Sequence, residues 1–349
     1  MKKTLILLIG LMFSMVLSAQ DSRMSIYGYF DLEAEVNNRD AKGKIWTFDQ
    51  HHFNVITTFQ LDERFRIFSE IEWEHGVEIE DGEGSGLVAM ERAWLEYKYT
   101  DALRFKFGKM LTPFGLYNLK HDATPTFLSS FLPNAVYGEH ANPLGNSQRL
   151  YGKFATGIQV LGIFITDSWS GEYHVFASNG SGPKPAKQDN NTNKAVGGMV
   201  RLSPGITGFT IGSSYYNEKN GNAMDTRQSA LSLDMAFTQY EFLIELEGVM
   251  AKQETVNAQM TPTGNYVDIL GYYAQTAYTI LDMYTPFFRY EVFDPNTNVD
   301  DDAMNTIVAG LNISVTPRVY LKGEVQLNRF QNKAIDGYER FVTSVAVAF

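Results

Sequence analysis

The sequence predicts an all-β protein: a closed antiparallel transmembrane β-barrel of about 16 strands, with long loops on one side and short periplasmic turns on the other. Three observations carry this expectation. Apolar and polar residues alternate with period two through segment after segment. The connections between these segments alternate between long and short. An export signal opens the chain, yet no later apolar run is long enough for a membrane-spanning helix.

The signal comes first. Lys2 and Lys3 precede an uncharged apolar stretch from Leu5 to Leu17, and Ser18-Ala19 offers small residues for cleavage before Gln20. The stretch is short for a membrane span, and polar sequence follows at once. The expectation is therefore a cleaved signal peptide over 1–19 and a barrel over 20–349, exported to the outer membrane of a Gram-negative cell. The 349 residues contain no Cys, which excludes disulfides, thiol chemistry and lipid attachment through an N-terminal Cys. The net charge of −11 becomes more negative once Lys2 and Lys3 are removed. That argues against nucleic acid, which requires a basic face. With 24 Phe, 19 Tyr and 29 Gly, the composition favours β structure over helices.

Alternation defines the strands. In segment 24–36, Ile26, Gly28, Phe30, Leu32, Ala34 and Val36 share one face, and Tyr27, Tyr29, Asp31, Glu33 and Glu35 share the other. Segment 65–77 sets Phe65, Ile67, Ile71 and Trp73 against Arg66, Glu70, Glu72 and Glu74. The last segment sets Phe341, Val345, Val347 and Phe349 against Arg340, Ser344 and Ala348. The predicted strands are 24–36, 46–60, 65–77, 87–99, 103–111, 150–164, 169–177, 195–202, 208–217, 228–238, 240–252, 266–280, 284–293, 304–315, 318–328 and 338–349.

The connections 37–45, 78–86, 112–149, 178–194, 218–227, 253–265, 294–303 and 329–337 are long and polar. Those between them are tight: 61–64, 100–102, 165–168, 203–207, the single residue Gln239, 281–283 and 316–317. This regular order gathers all long loops at one end, as in outer-membrane barrels. A soluble sandwich or lipocalin-like barrel would turn its apolar face inward, and burying Glu70, Glu72 and Glu74 unpaired there would be prohibitive. An inverted barrel, apolar toward outer-membrane lipid and polar inward, removes the conflict, and closure satisfies every backbone group. Aromatics near predicted strand ends, such as Tyr97, Tyr99, Tyr240 and Tyr284, fit interfacial girdles. The terminal Phe349 on an amphipathic last strand resembles the signal read by the barrel assembly machinery, an expected partner.

Barrels of sixteen to eighteen strands leave an aqueous channel. The expected function is passive diffusion of ions and small hydrophilic solutes. The first strand starts almost at the mature terminus, with no preceding plug. The longest connection, 112–149, carries Phe114, Leu116, Phe127, Leu128, Phe131, Leu132 and Val136, which a solvated loop would leave in water. It is expected to fold into the lumen and narrow the pore, the other arrangement being packing over the outer mouth or against a neighbouring subunit.

The run Phe105-Lys106-Phe107-Gly108-Lys109-Met110-Leu111-Thr112-Pro113-Phe114-Gly115-Leu116-Tyr117 closes the fifth predicted strand and enters this loop. It resembles the strand-to-loop segment of phosphate-selective porins of the O/P family. Arg149-Leu150-Tyr151-Gly152, with Thr156-Gly157-Ile158, is similar to the strand that follows in those porins. The resemblance implies a trimeric sixteen-stranded outer-membrane channel, hence a homotrimer, and places Pro113, Phe114 and Gly115 at the loop entry. It also implies passage of anions such as phosphate. That family's channels depend on a ladder of basic residues, whereas here the inward residues are mixed. The candidates for lining or constricting the pore are Arg66, Glu70, Glu72, Arg92, Trp94, Lys98, Arg104, Lys106, Lys153, Glu245, Glu247, Arg289 and Glu291. A basic group on the fourth to sixth strands faces acids elsewhere, which suggests a transverse field across the lumen.

Two other functional classes compete with a channel. A barrel hydrolase needs a nucleophile beside a base, and neither Gly-x-Ser-x-Gly nor His-Glu-x-x-His occurs. No enzymatic activity, cofactor or metal is expected. His51 and His52 are consecutive in a strand, so alternation sends them to opposite faces, away from a shared ion. Asp300-Asp301-Asp302 lacks the spacing of a calcium loop. A selective uptake channel for sugars or other solutes would use aromatic stacking, for which Trp94 is the one tryptophan placed in the lumen.

Overall fold

A computed structural model describes residues 23–39, 45–80, 83–121, 123–141, 147–182, 184–189, 191–219 and 225–349. The expected signal peptide lies outside the described residues. The strands are β1 (Met24–Asn37), β2 (Thr47–Gln60), β3 (Phe65–Glu80), β4 (Glu83–Thr100), β5 (Leu103–Leu111), β6 (Phe154–Ile165), β7 (Ser170–Ser178) and β8 (Ala195–Ser203). The second half of the wall is β9 (Phe209–Lys219), β10 (Arg227–Gln239), β11 (Phe242–Val256), β12 (Pro262–Tyr278), β13 (Tyr284–Asp294), β14 (Met304–Thr316), β15 (Val319–Phe330) and β16 (Tyr338–Ala348). Each strand pairs with its sequence neighbours, and β1 pairs with β16, so the sheet closes as a 16-strand antiparallel barrel. The seam is completed where Gly28 and Phe349 exchange backbone hydrogen bonds of 2.9 and 3.0 Å.

The two faces follow the alternation. Ile67, Phe53, Leu246, Phe288 and Val325 are exposed on the outer wall, while Asp31, Asn54, Glu70, Ser232 and Arg289 are buried inside. Water is excluded from the outer face by lipid, and most inward polar groups find partners within the barrel. The described residues begin at Arg23 and end at Phe349, both on the side of the short turns.

Several boundaries differ from the sequence expectation. The connection 78–86 is largely paired: Glu78, Ile79 and Glu80 oppose Ser85, Gly84 and Glu83, extending β3 and β4 beyond the apolar pattern. Backbone pairing needs no apolar side chain, so periodicity stops short of it. The turn assigned to Gln239 alone is Tyr240-Glu241, both with positive φ (49° and 62°), the backbone of a tight two-residue hairpin. β6 begins at Phe154 and not at Leu150, because Leu150 and Tyr151 are tucked under the long connection that precedes them.

Three of the register shifts in the wall bear on the lumen. On β2, Asp31 opposes His52 while Glu33 opposes Asp49, so β2 carries one extra residue. Contrary to the expectation from alternation, His51 and His52 therefore lie together, their rings stacked at 3.8 Å. On β4, Glu70 opposes Arg92 and Ile71 opposes Met90, which leaves Glu91 as the extra residue. On β3, His75 (φ 58°) and Gly76 (φ 54°) loop out between the pairs at Glu74 and Glu78.

Candidate functional site in the barrel lumen

The connection 112–149 leaves β5 at Pro113, which has no N–H to continue a ladder. It then runs inside the barrel. Its short elements are two 3₁₀ turns, Asn118–Lys120 and Thr124–Thr126, one helical turn, Asn134–Tyr137, and a short antiparallel pairing of His140–Ala141 with Ser147–Gln148. Gly115 N donates to Ser214 Oγ on β9 (3.0 Å), and Ala135 N donates to Glu291 on β13 (3.0 Å). Ser130 N donates to Glu324 on β15 (2.9 Å), and the Ser130 and Ser344 hydroxyls meet at 2.8 Å. Tyr117 and Tyr137 donate their hydroxyls to Glu245 and Glu247 on β11, the second at 2.6 Å. Tyr29 on β1 hydrogen-bonds His121 Nδ1 at 3.0 Å.

Apolar contacts reinforce these bonds. Phe114, Leu116, Phe127 and Val136 are buried with Tyr117 and Tyr137 against Phe176, Tyr216, Val249, Ile269, Tyr273 and Phe293 of the wall. Phe114 stacks on Tyr151 with centroids 4.1 Å apart. Leu128 packs on Ala277, Phe287 and Val308, and Leu132 on the main cluster. Phe131 lies under the Arg340 guanidinium at 3.8 Å.

Gly115 explains the Pro-Phe-Gly motif. Its φ is +62°, and a Cβ there would fall on Glu247 Oε1 and the Tyr137 hydroxyl. Within the connection, burial and the neighbouring carboxylates push the Tyr117 and Tyr137 hydroxyls well above their ordinary range. Burial likewise lowers the Lys120 ammonium. It depresses His140 to about 4, where the ring lies flat on Phe293 (3.5 Å) and donates from Nε2 to the Asn134 carbonyl (2.8 Å).

The candidate residues divide into two groups. Glu245, Glu247 and Glu291 do not face open water: they are 7%, 3% and 3% exposed and hold the connection in place. Arg289, 1% exposed, belongs with them, donating to Glu291 (2.7 Å), Ser129 Oγ (2.8 Å) and Gln275 (3.2 Å). Glu70 and Glu72 are also buried, joined by Asn54 (3.0 and 2.7 Å).

The second group stands on β3 to β5. Trp94 stacks on Phe68 at 4.8 Å with rings parallel, Lys106 and Arg66 lie over Trp94 at 4.4 and 5.3 Å, and Arg92 lies over Phe68 at 4.7 Å. Arg92 pairs with Glu70, and Arg66 with Glu96 at 3.0 Å. Lys98 pairs with Asp101 at the short-turn end (2.6 Å). Arg104 faces the lumen beside them with its Nε unpartnered. Lys153 is held apart, just before β6 and over Phe154 at 5.2 Å.

Sequence reasoning missed four acids that matter here. Glu91 became an inward residue only through the β4 bulge, and it receives His121 Nε2 at 3.1 Å. Glu96, Asp234 and Glu218 stand on inward faces, so alternation alone could have found them. The inward apolar patch of Phe176, Tyr216, Val249, Ile269 and Phe293 also went unread, because it breaks the polar rule for the lumen only where the connection docks.

Against known proteins, a stretch of 104 residues, 30% of the chain, is 34% identical to an uncharacterized protein of Aquifex aeolicus (strain VF5), of which it spans 23%. The fold is similar to that of an anion-selective porin from Comamonas acidovorans, at a TM-score of 0.64 and 12% identity, covering 93% of this chain and 99% of that one. It is equally similar to the trimer form of OmpT, an outer membrane protein of Vibrio cholerae, at a TM-score of 0.62 and 13% identity with the same coverage. Residues 4–333 match the family described as Gram-negative porin, and the chain belongs to that family.

Proposed function

We propose that this outer-membrane channel passes small hydrophilic solutes by passive diffusion with a preference for anions, that the connection 112–149 is its constriction, and that it has no enzymatic role. The observation that supports the constriction is the set of hydrogen bonds from residues 115–137 to β9, β11, β13, β15 and β16. A segment tied to the far wall at so many points divides the lumen. The anion preference rests on unequal exposure. The side chains of Arg66 and Lys106 are 39% and 18% exposed, whereas that of their shared partner Glu96 is 6%. Cations that remain in water beside covered acids favour anions in transit. Phosphate is one such anion, and the likeness of residues 105–117 to phosphate-selective porins supports it.

Assembly as a homotrimer is part of the same reading, supported by the trimeric form of a similar barrel. So are cleavage of residues 1–19 and recognition of Phe349 by the assembly machinery. The test is conductance in planar bilayers under a salt gradient. Stepwise currents in threes, a reversal potential of anion sign, and a shift toward cations in Arg104→Glu/Lys106→Glu are expected. Reversal potentials unchanged by that double substitution would defeat the charge assignment, and folded protein without conductance would defeat the channel.

A further inference from the structure

Three histidines form a stack on the inner wall at the long-loop side. The His52 ring lies 3.8 Å from His51, and the His51 ring 5.1 Å from His75, both pairs near parallel. Alternation would scatter these side chains. The extra residue in β2 and the left-handed backbone at His75 bring them together instead. Strain of this kind in a non-glycine residue persists only where the surroundings enforce it.

Four carboxylates surround the stack. Glu74 Oε1 sits between two imidazoles, 3.9 Å from His51 Nε2 and 3.7 Å from His75 Nε2. One donor atom from each of the three residues lies within 4.8 Å of the others. Tetrahedral zinc with bonds of about 2.0–2.2 Å sets its ligand atoms roughly 3.4 Å apart, so the two Glu74 contacts must shorten by a few tenths of an ångström and the two imidazole donors, within 4.8 Å of each other, by up to about 1.4 Å. The opposite nitrogens face carboxylates: His75 Nδ1 is 2.9 Å from Asp49 and His51 Nδ1 is 3.4 Å from Glu33. The Asp49 carboxylate behind His75 fixes its tautomer and raises its basicity, the usual support of a metal-bound histidine, and Glu33 stands behind His51 within ion-pair reach. His52 is engaged differently, by Asp31 at 3.1 Å.

Two further facts point to a cation. Glu33 is 4% exposed, yet its Oε1 has no hydrogen-bond partner. Among the described residues, the ion pairs of Glu33, Asp49 and Glu74 are with histidines, with no Lys or Arg among them. The group is reachable, because it separates two cavities of about 680 and 340 Å³, both lined by His51 and by Phe131 of the constricting connection.

We propose that His51, Glu74 and His75 bind a divalent transition-metal cation of the zinc class, with Glu33 and Asp49 orienting the two imidazoles. Two nitrogen donors and one carboxylate suit zinc and its neighbours better than calcium or magnesium. His51 lines both cavities beside Phe131, with ring centroids 6.4 Å apart, so the cluster sits where the connection 112–149 meets the long-loop side of the lumen.

Zinc chloride is the probe. Folded protein in detergent, checked by heat-modifiable mobility, is titrated by calorimetry and assayed for retained zinc after desalting. One zinc per chain with micromolar affinity is expected, reversed by chelator, together with a fall in conductance on addition from the long-loop side. His51→Asn/His75→Asn is expected to abolish binding, and Asp49→Asn to weaken it about 10–100-fold. His140→Asn, outside the cluster, is expected to bind as the parent does. Absence of zinc binding by the unmodified protein overturns the proposal whatever the variants do. So does equal binding by a folded Glu74→Gln variant. The calorimetric readout needs no current, so its failure is distinct from failure of the channel reading.

Discussion

The Tyr137 hydroxyl donates to Glu247 Oε2 at 2.6 Å and accepts from the Tyr117 amide at 2.9 Å, joining the helical turn of the connection 112–149 both to β11 and to its own entry. Glu247 also accepts from Ser232 (3.0 Å) and Tyr273 (3.1 Å), so one buried carboxylate gathers three hydroxyls from three elements. Networks of this kind are costly to leave half-satisfied.

Tyr137→Phe removes both bonds and leaves the Tyr117 amide without its acceptor. The expected cost is about 1–3 kcal/mol. Single-channel conductance should rise and fluctuate more as the connection loosens. An unchanged trace and an unchanged unfolding midpoint in denaturant would contradict the anchoring role.

Gly115→Ala tests the same point sterically. The added methyl falls on Glu247 and Tyr137, and φ of +62° disfavours any β-carbon. A loss of about 1–3 kcal/mol from strain and displaced partners is expected, with a larger change in conductance than Gly264→Ala produces. Gly264 also has positive φ (+75°) but open space around it, and it separates backbone strain from the clash. Equal effects at both positions would show that contact with Glu247 is irrelevant.

Arg289→Met strands Glu291 as a buried carboxylate and removes donors to Ser129, Gln275 and the Phe131 carbonyl. Breaking a buried pair costs roughly 3–5 kcal/mol. The temperature of the heat-induced mobility shift should fall markedly, and adding Glu291→Gln should restore part of it. Equal midpoints for single and double variants would refute the coupling.

His140 offers a pH effect. Burial holds its folded pKa at about 4, against about 6.5 for the free side chain. Between those values the undocked segment binds a proton that the docked one does not, so docking is full above pH 6.5 and weakens as pH falls toward 4. Conductance fluctuations should increase across that window, and His140→Gln should flatten the trend. A trend unaltered by the substitution would place the proton elsewhere.

Much of this architecture was legible before any coordinates. Alternation in 24–36 and 65–77 assigned Asp31, Glu70 and Ile67 to their observed faces, because a strand's side-chain period is two and lipid rewards only one face. The apolar residues of 112–149 marked it as a buried segment, since Phe114 and Val136 have no use in a solvated loop. Gly115 was legible as a motif but not as a reason.

The chain's own order thus determined the closed sixteen-stranded barrel and the exceptional fifth connection, both consequences of local periodicity and of where polar backbone groups can be satisfied. Only the tertiary structure decided which lumen charges remain in water. Glu245, Glu247 and Glu291 look like pore acids along their strands, yet the connection covers them, and that contact spans more than a hundred residues of sequence. The bulges at His51, Glu91 and His75 were equally hidden: one extra residue in β2 and in β4 reverses every face that follows, and the two extra residues His75 and Gly76 open a left-handed loop that no alternation marks.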